Sequence, residues 1–387
     1  SELTEKLNIP AEWISQAINP MQIIELRLGQ QIQDINDLIT ALEWLLENRS
    51  ITTSDKNENT ISENKAQNLF NFSPQQSFAY IDKSKDASGY WTEHVEAKLS
   101  YNYGNIVIEL GKFNRQWGNG SRSLHISDKA PSYPQIGFKY NLNSKLKYLY
   151  FHGFLNSGIP DTARSIFYNN NYSQRFINVP RNIAAHRIVW RPNDKFVISL
   201  NETVVYATRN VDIYYLMPIL PFYPIENYNG DTDNIQMGFE FLYNIDDSQE
   251  SYIAFFMDEF TPEWLLQSKN HNWFGLQLGY SSKDLIFTNS KIQLEYNWTD
   301  QRIYRHKYDI NDYYNHQQPL GFWAGPHAEE FLINYENYFE KFFLELHFSY
   351  TKRGLSNRDM VAENYKDTYS ERFSLGSEKR MLLYIDL

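Results

Sequence analysis

From about residue 90 onward, apolar and polar residues alternate one for one in run after run. Val95, Ala97, Leu99, Tyr101 and Tyr103 alternate with His94, Glu96, Lys98, Ser100 and Asn102. The period returns at Ile235, Met237, Phe239, Phe241, Tyr243 and Ile245, with Gln236, Gly238, Glu240 and Asn244 between them. It appears again at Ile292, Leu294, Tyr296 and Trp298, and at Phe342, Leu344, Leu346, Phe348 and Tyr350. A period of two marks strands with one apolar and one polar face. A soluble sandwich alternates in the same way, but it would have to hide the apolar faces of a very large sheet.

The spacing of the runs separates the two. Fourteen strands are expected, at 76–84, 90–103, 104–113, 134–142, 145–155, 183–191, 194–208, 234–245, 250–260, 272–281, 290–308, 329–336, 340–351 and 379–387. Every second connection is short, beginning with Gly104 and Asn143–Ser144. After the first hairpin the others are long: 114–133, 156–182, 209–233, 261–271, 309–328 and 352–378. Tight turns at one end and long loops at the other characterise a bacterial outer-membrane barrel, and most runs have the length needed to cross a bilayer at a tilt. An even count puts both ends of the β region on the short-turn, periplasmic side.

The N-terminal region has a different period. Ile32, Ile35, Leu38, Ile39, Leu42 and Leu46 share one helical stripe, so 1–50 reads as helix, and 51–69 is a polar, patternless linker. The expected division is a helical periplasmic segment and linker at 1–69 and a barrel at 70–387. The chain begins at Ser1 without Met, which suits a leader already removed.

Composition narrows the classes further. Aromatics reach 16%, led by 29 Tyr and 25 Phe, and such rings suit sheet faces and membrane interfaces. A net charge of −11 without a long basic run excludes nucleic acid as a partner. The absence of cysteine excludes disulfides, a thiol nucleophile and a cysteine-ligated metal. No phosphate-binding loop, dinucleotide fingerprint or nucleophile elbow is present, so no catalytic residue and no cofactor are expected.

Candidate chemistry gathers in the long loops. In 114–133, Arg115, Trp117, Asn119, Ser121, Arg122, Ser123 and His125 offer a stacking ring and several polar donors, a surface suited to sugars. The competing reading has Trp117 anchoring a loop folded into the barrel, with the Arg pair lining the pore. In 302–327, Tyr304, His306, Tyr308, Tyr313, Trp323 and His327 suit polar recognition or packing. His306, His316 and His327 are 10 and 11 residues apart, not the three to five usual of ligand motifs, so no metal is expected. In 209–233, prolines stiffen a loop. Asp258 and Glu259 could serve a glycosidase only if the fold set them facing another carboxylate.

Gly111–Tyr140 resembles the signature of the capsule assembly Wzi family. Arg115, Trp117–Gly118, Ser123–Leu124, Ile126–Ser127, Ala130–Pro131 and Pro134 carry the resemblance. Two further blocks are similar: Pro221–Phe222 with Asp233–Gln236, and Tyr304–His306, Tyr308, Gly321, Gly325, Pro326 and Ala328. His327 and Phe322 stand where the family has Asp and His. The resemblance implies a monomeric outer-membrane barrel of eighteen strands with periplasmic helices, a lectin that ties capsular polysaccharide to the cell. Hairpins within 156–182 and 209–233 would raise fourteen strands to eighteen.

The full expectation is therefore an all-β transmembrane antiparallel β-barrel of 14–18 strands with an N-terminal periplasmic α-helical segment. It would sit in the Gram-negative outer membrane, among outer-membrane lipids, with its long loops outside. It would bind capsular or extracellular polysaccharide through Arg115, Trp117, Asn119, Arg122, His125, Tyr304, His306, Tyr308, Trp323 and His327. The alternative is a transport or secretion barrel, or an accessory of an outer-membrane export complex, with polysaccharide-export proteins as partners.

Overall fold

The alternating runs join into one antiparallel ladder. The computed structural model describes residues 22–26, 30–32, 73–77, 80–83, 90–258, 272–285, 287–339, 343–354 and 378–386. The early strands are β1 (Gln22–Leu26), β2 (Gln30–Ile32), β3 (Tyr80–Lys83), β4 (Tyr90–Glu93), β5 (Ala97–Tyr103) and β6 (Ile106–Phe113). Next come β7 (Tyr133–Asn141), β8 (Leu146–Pro160), β9 (Asn178–Asn193), β10 (Phe196–Ala207), β11 (Asn234–Asn244) and β12 (Gln249–Asp258). The remainder are β13 (Trp273–Lys283), β14 (Ser290–Thr299), β15 (Tyr314–Asn315), β16 (Gln318–Pro319), β17 (Ala328–Tyr338), β18 (Phe343–Arg353) and β19 (Glu378–Asp386).

Among the described residues, fifteen strands form the main sheet, in the order β19-β18-β17-β14-β13-β12-β11-β10-β9-β8-β7-β6-β5-β1-β2. From β5 onward each strand pairs with the next one in the wall, as an up-and-down barrel requires. The turns at 104–105, 142–145, 194–195, 245–248, 284–289 and 339–342 are short. The connections 114–132, 161–177, 208–233, 259–272, 300–327 and 354–377 are long, so the alternation of short and long connections holds from β5 to β19, although the expected even count does not, with fifteen strands in the sheet.

Which face is buried identifies the solvent. On β10, Ser199 is 1% exposed, Leu200 53% and Asn201 4%. The same order repeats with Glu109 buried between exposed Ile108 and Leu110, Arg187 beside exposed Ile188, Gln277 beside exposed Leu278, and Glu330 beside exposed Phe331. Polar and charged side chains are inside and aliphatic ones outside. This inverts the soluble sandwich and meets the requirement of a barrel wall in lipid. Among the described residues no helix is long and apolar enough to cross a membrane.

Several boundaries differ from expectation. The run 90–103 divides into β4, paired only with β3 in a separate sheet, and β5. The break falls where Glu96 pairs with His94 (3.2 Å) and accepts from Gln76 (3.1 Å). The run 290–308 stops at Thr299, because the chain then turns into the lumen. No strand occurs in 208–233, which holds a helix at Phe222–Tyr228, and 161–177 holds a four-residue helix at Thr162–Ser165 and one isolated bridge. The hairpins that would have raised the count to eighteen are therefore absent. Within 1–50, β1 and β2 are strands rather than helix, since the free edge of β5 offers Gln22–Leu26 a complete ladder. The rest of that region, and the linker, lie outside the described residues.

Candidate functional site

Two long loops meet in the lumen. The first, 114–132, leaves β6 and folds inward, and the second, 300–327, descends from β14 to meet it. Trp117, Leu124, Ile126 and Ala130 pack there against Ile303, Tyr304, Tyr313, Leu320, Phe322 and Trp323 in the larger buried apolar cluster. Polar lumen walls could not fill this space, so the loops bring their own core.

Hydrogen bonds fix one loop to the other. The Tyr304 hydroxyl donates to the Leu124 carbonyl (2.6 Å) and accepts from the Phe322 N–H (3.0 Å). The Tyr313 hydroxyl donates to the His125 carbonyl (2.7 Å), and the Ser127 N–H donates to the Leu320 carbonyl (2.7 Å). Asn315 Nδ2 donates to the Pro131 carbonyl at 2.8 Å. Tyr304 sits at φ +68°, a costly conformation for an aromatic residue. Its backbone N–H, held by Asp258 Oδ2 at 2.5 Å, and the two bonds of its phenol fix it there.

The tip of the first loop is fastened to the opposite wall. Glu295 of β14 accepts the backbone N–H groups of Ser121 (2.8 Å) and Arg122 (3.1 Å), and also the Tyr252 hydroxyl (2.7 Å). Asn119 Nδ2 reaches Glu240, Arg122 Nε reaches Glu330 (3.2 Å), and Ser121 Oγ donates to Gln293 (2.7 Å). A Cβ at Gly120 would stand 2.3 Å from Glu295 Oε2, so any larger residue there would have to displace that carboxylate from the loop amides. Strands β11, β14 and β17 are thus tied to a loop rooted between β6 and β7, across the inside of a curled sheet.

The ten sequence-predicted residues fall into two groups. Arg115 is buried, paired with Glu109 (2.6 Å), bonded to Gln135 and stacked over Phe113 and Phe151. Trp117 lies parallel to His125 at 5.9 Å, and His125 meets Thr203 Oγ1 through Nε2 (2.8 Å). Burial, with the Arg187 charge adding to it, holds the His125 imidazole down at about 3, so the ring is neutral. Trp323 donates to Glu330 (3.1 Å), and His306 and His327 are also buried, with backbone bonds to Asp312 and Asp300. Arg115, Trp117, His125, Tyr304, His306, Trp323 and His327 are all buried among protein neighbours. Asn119 and Arg122 are half-buried toward the lumen, and Tyr308 is exposed.

His306, His316 and His327 do not converge, and no group of three metal-ligand side chains occurs among the described residues. Asp258 is fully buried as the acceptor for Tyr304, and Glu259 lies outside the described residues.

Sequence reasoning missed the segment 166–176, Ile-Phe-Tyr-Asn-Asn-Asn-Tyr-Ser-Gln-Arg-Phe. Every residue in it is exposed, with Phe167 at 84% and Tyr172 at 98%. The interleaving of rings with amides was its visible signal. At the opposite, short-turn end a cavity of about 740 Å³ reaches up to Trp117 and Asn119. Lys145, Lys147, Arg187 and Arg191 line it, with no carboxylate among the lining residues.

Fold and lumen together define an outer-membrane-type antiparallel β-barrel whose interior is occupied by its own loops. No family model matches the sequence, and no curated protein matches it. Among solved structures the chain is similar to Wzi of Escherichia coli, described as a carbohydrate-binding β-barrel involved in group 1 capsule assembly, at 14% identity and a TM-score of 0.47. The match covers 68% of this chain and 57% of Wzi. It is also similar to OccAB2 of Acinetobacter baumannii (7% identity, TM-score 0.39, covering 71% and 65%). The anion-selective porin of Comamonas acidovorans matches at 11% identity and a TM-score of 0.38, covering 69% of each chain.

Proposed function

We propose that the protein binds a capsular or extracellular polysaccharide at its long-loop end and helps to attach or assemble it at the cell surface. The observation that carries the reading is the exposed run 166–176. Pyranose rings present C–H faces that lie on Phe or Tyr, while their hydroxyls pair with the neighbouring Asn and Gln amides. Tyr308, in another long connection, is exposed too, and Asn119 and Arg122 are half-buried toward the lumen.

The test is affinity electrophoresis of the detergent-purified protein against the host's surface polysaccharides. Retardation is expected, and a Tyr172→Ala, Phe176→Ala double variant loses about tenfold in affinity while stability stays within about 0.5 kcal/mol. No retardation by any host polymer sinks the reading. A second reading, a transport barrel or export accessory, is favoured by the cation-lined cavity at the short-turn end. Steady conductance in planar bilayers would select it.

A further inference from the structure

The outer wall of the barrel carries a patch that breaks its own rule. In the ladder Tyr150 stands opposite His186, and His186 opposite Glu202. All three belong to the outward set, as do Tyr148, His152 and Tyr206, because the inward set holds Arg187, Ser199, Asn201 and Thr203. His186 Nε2 meets Glu202 Oε2 at 2.7 Å. Glu202 is five positions in from Ala207 at the long-loop end (202 to 207), roughly 16 Å along the strand. That is well inside the zone where neighbouring Leu200, Ile188 and Trp190 are exposed and apolar. Such polar groups are expensive in hydrocarbon.

The connection 208–233 covers them. It leaves β10, turns back and runs down the outside of the wall, with Tyr215, Phe222 and Ile225 packed on Tyr150, Ala184, Val204 and Tyr206. The Tyr148 hydroxyl donates to the Pro218 carbonyl, and the Tyr150 hydroxyl to the Tyr215 carbonyl (2.8 Å). The backbone N–H groups of Phe222 and Tyr223 both donate to Glu202 (2.9 Å each), and the Phe222 ring stacks on His186 at 4.4 Å. Arg209 and the Tyr215 hydroxyl, both on Asp233, pin the base of the flap.

The other side of the flap is apolar. Between Asp212 and Glu226 the sequence is Ile-Tyr-Tyr-Leu-Met-Pro-Ile-Leu-Pro-Phe-Tyr-Pro-Ile, without a charge or an amide. Ile213, Leu216, Met217, Leu220 and Tyr223 are exposed there, and Ile219 is 87% exposed. This surface continues the exposed apolar wall formed by Leu200, Ile188 and Trp190. A water-facing external loop has no reason to present such a run, whereas a loop that replaces part of the wall must.

From these observations we infer that 208–233 is a membrane flap whose outer surface contacts lipid acyl chains and seals the His186–Glu202 row from them. The chain has no cysteine, so single labels can be placed without background. Spin labels on Ile219→Cys and Ile213→Cys, in the full chain in dimyristoylphosphatidylcholine vesicles, report collision with oxygen and with a water-soluble nickel complex. Leu200→Cys on the bare wall and Tyr172→Cys in the 161–177 loop are the references. The oxygen-to-nickel ratio at 219 and 213 is expected to match position 200 and to exceed position 172 about tenfold. A ratio like that at 172 overturns the inference. So does shielding from both reagents with cysteine-linked dimers, which would make the flap a contact between copies.

Discussion

Removing two phenolic oxygens should release the lumen loops. Tyr304→Phe leaves the Leu124 carbonyl and the Phe322 N–H without the partners they have at 2.6 and 3.0 Å. Tyr313→Phe leaves the His125 carbonyl without its bond at 2.7 Å. Each buried orphan costs about 1–3 kcal/mol, which gives about 2–6 kcal/mol for Tyr304→Phe with its two orphans and about 1–3 for Tyr313→Phe. At about 1.4 kcal/mol per decade, the first change raises the open population of the loops by roughly 30- to 20,000-fold. The two rings stack at 5.8 Å, so the double variant should fall short of the sum. Hydrogen exchange reads this directly at the amides of Trp117 and Ser127, which bond the Ile126 and Leu320 carbonyls. Their protection should fall by that factor while the β10–β11 ladder is unchanged. A change below about threefold at both amides would refute the idea that these phenols hold the loops together.

Gly321→Ala should loosen the same junction by about 1–3 kcal/mol, since its Cβ would stand 2.3 Å from the Leu124 carbonyl oxygen and 2.6 Å from the Tyr304 hydroxyl; chemical denaturation in vesicles measures it. Acid should loosen it too. Folded His125 takes its proton near pH 3 and the released ring near 6.5, so loop stability is complete above 6.5 and declines as pH falls from 6.5 toward 3. The slope is about 1.4 kcal/mol per pH unit, read as exchange corrected for its intrinsic pH dependence, and His125→Gln should flatten it. On the outer wall, Leu200→Lys should cost about 2–4 kcal/mol of stability in vesicles; a cost near zero would contradict its lipid exposure.

The wall was legible in the sequence because period two and loop parity are local facts. Each of the expected strands from β6 to β14 has its counterpart, and even the split of 90–103 falls inside a run with unbroken alternation. The lumen was not legible in that way. Trp117, His125 and Tyr304 stood out in a polar loop, but rings among Arg, Asn and Ser describe a sugar platform and a loop packed into a polar pore equally well. What separates them is a partner some 180 residues away, such as Leu124 for Tyr304. The flap was hidden for a related reason. Its prolines and tyrosines were visible, but the row it covers is assembled from three strands and exists only once they pair.

The anchoring of the first loop also orders events in time. Ser121 bonds Glu295 across 174 residues of chain, Arg122 bonds Glu330 across 208, and Asn334 bonds Ser121 across 213. None of these partners exists in place until β14 and β17 have joined the wall. The loop is made early in the chain but can settle only near the end of folding, when the slow, non-local contacts form. During insertion the barrel must therefore hold a wide, hydrated lumen with an unattached loop inside it. The closing of that lumen is the step to expect as a late, separate kinetic phase.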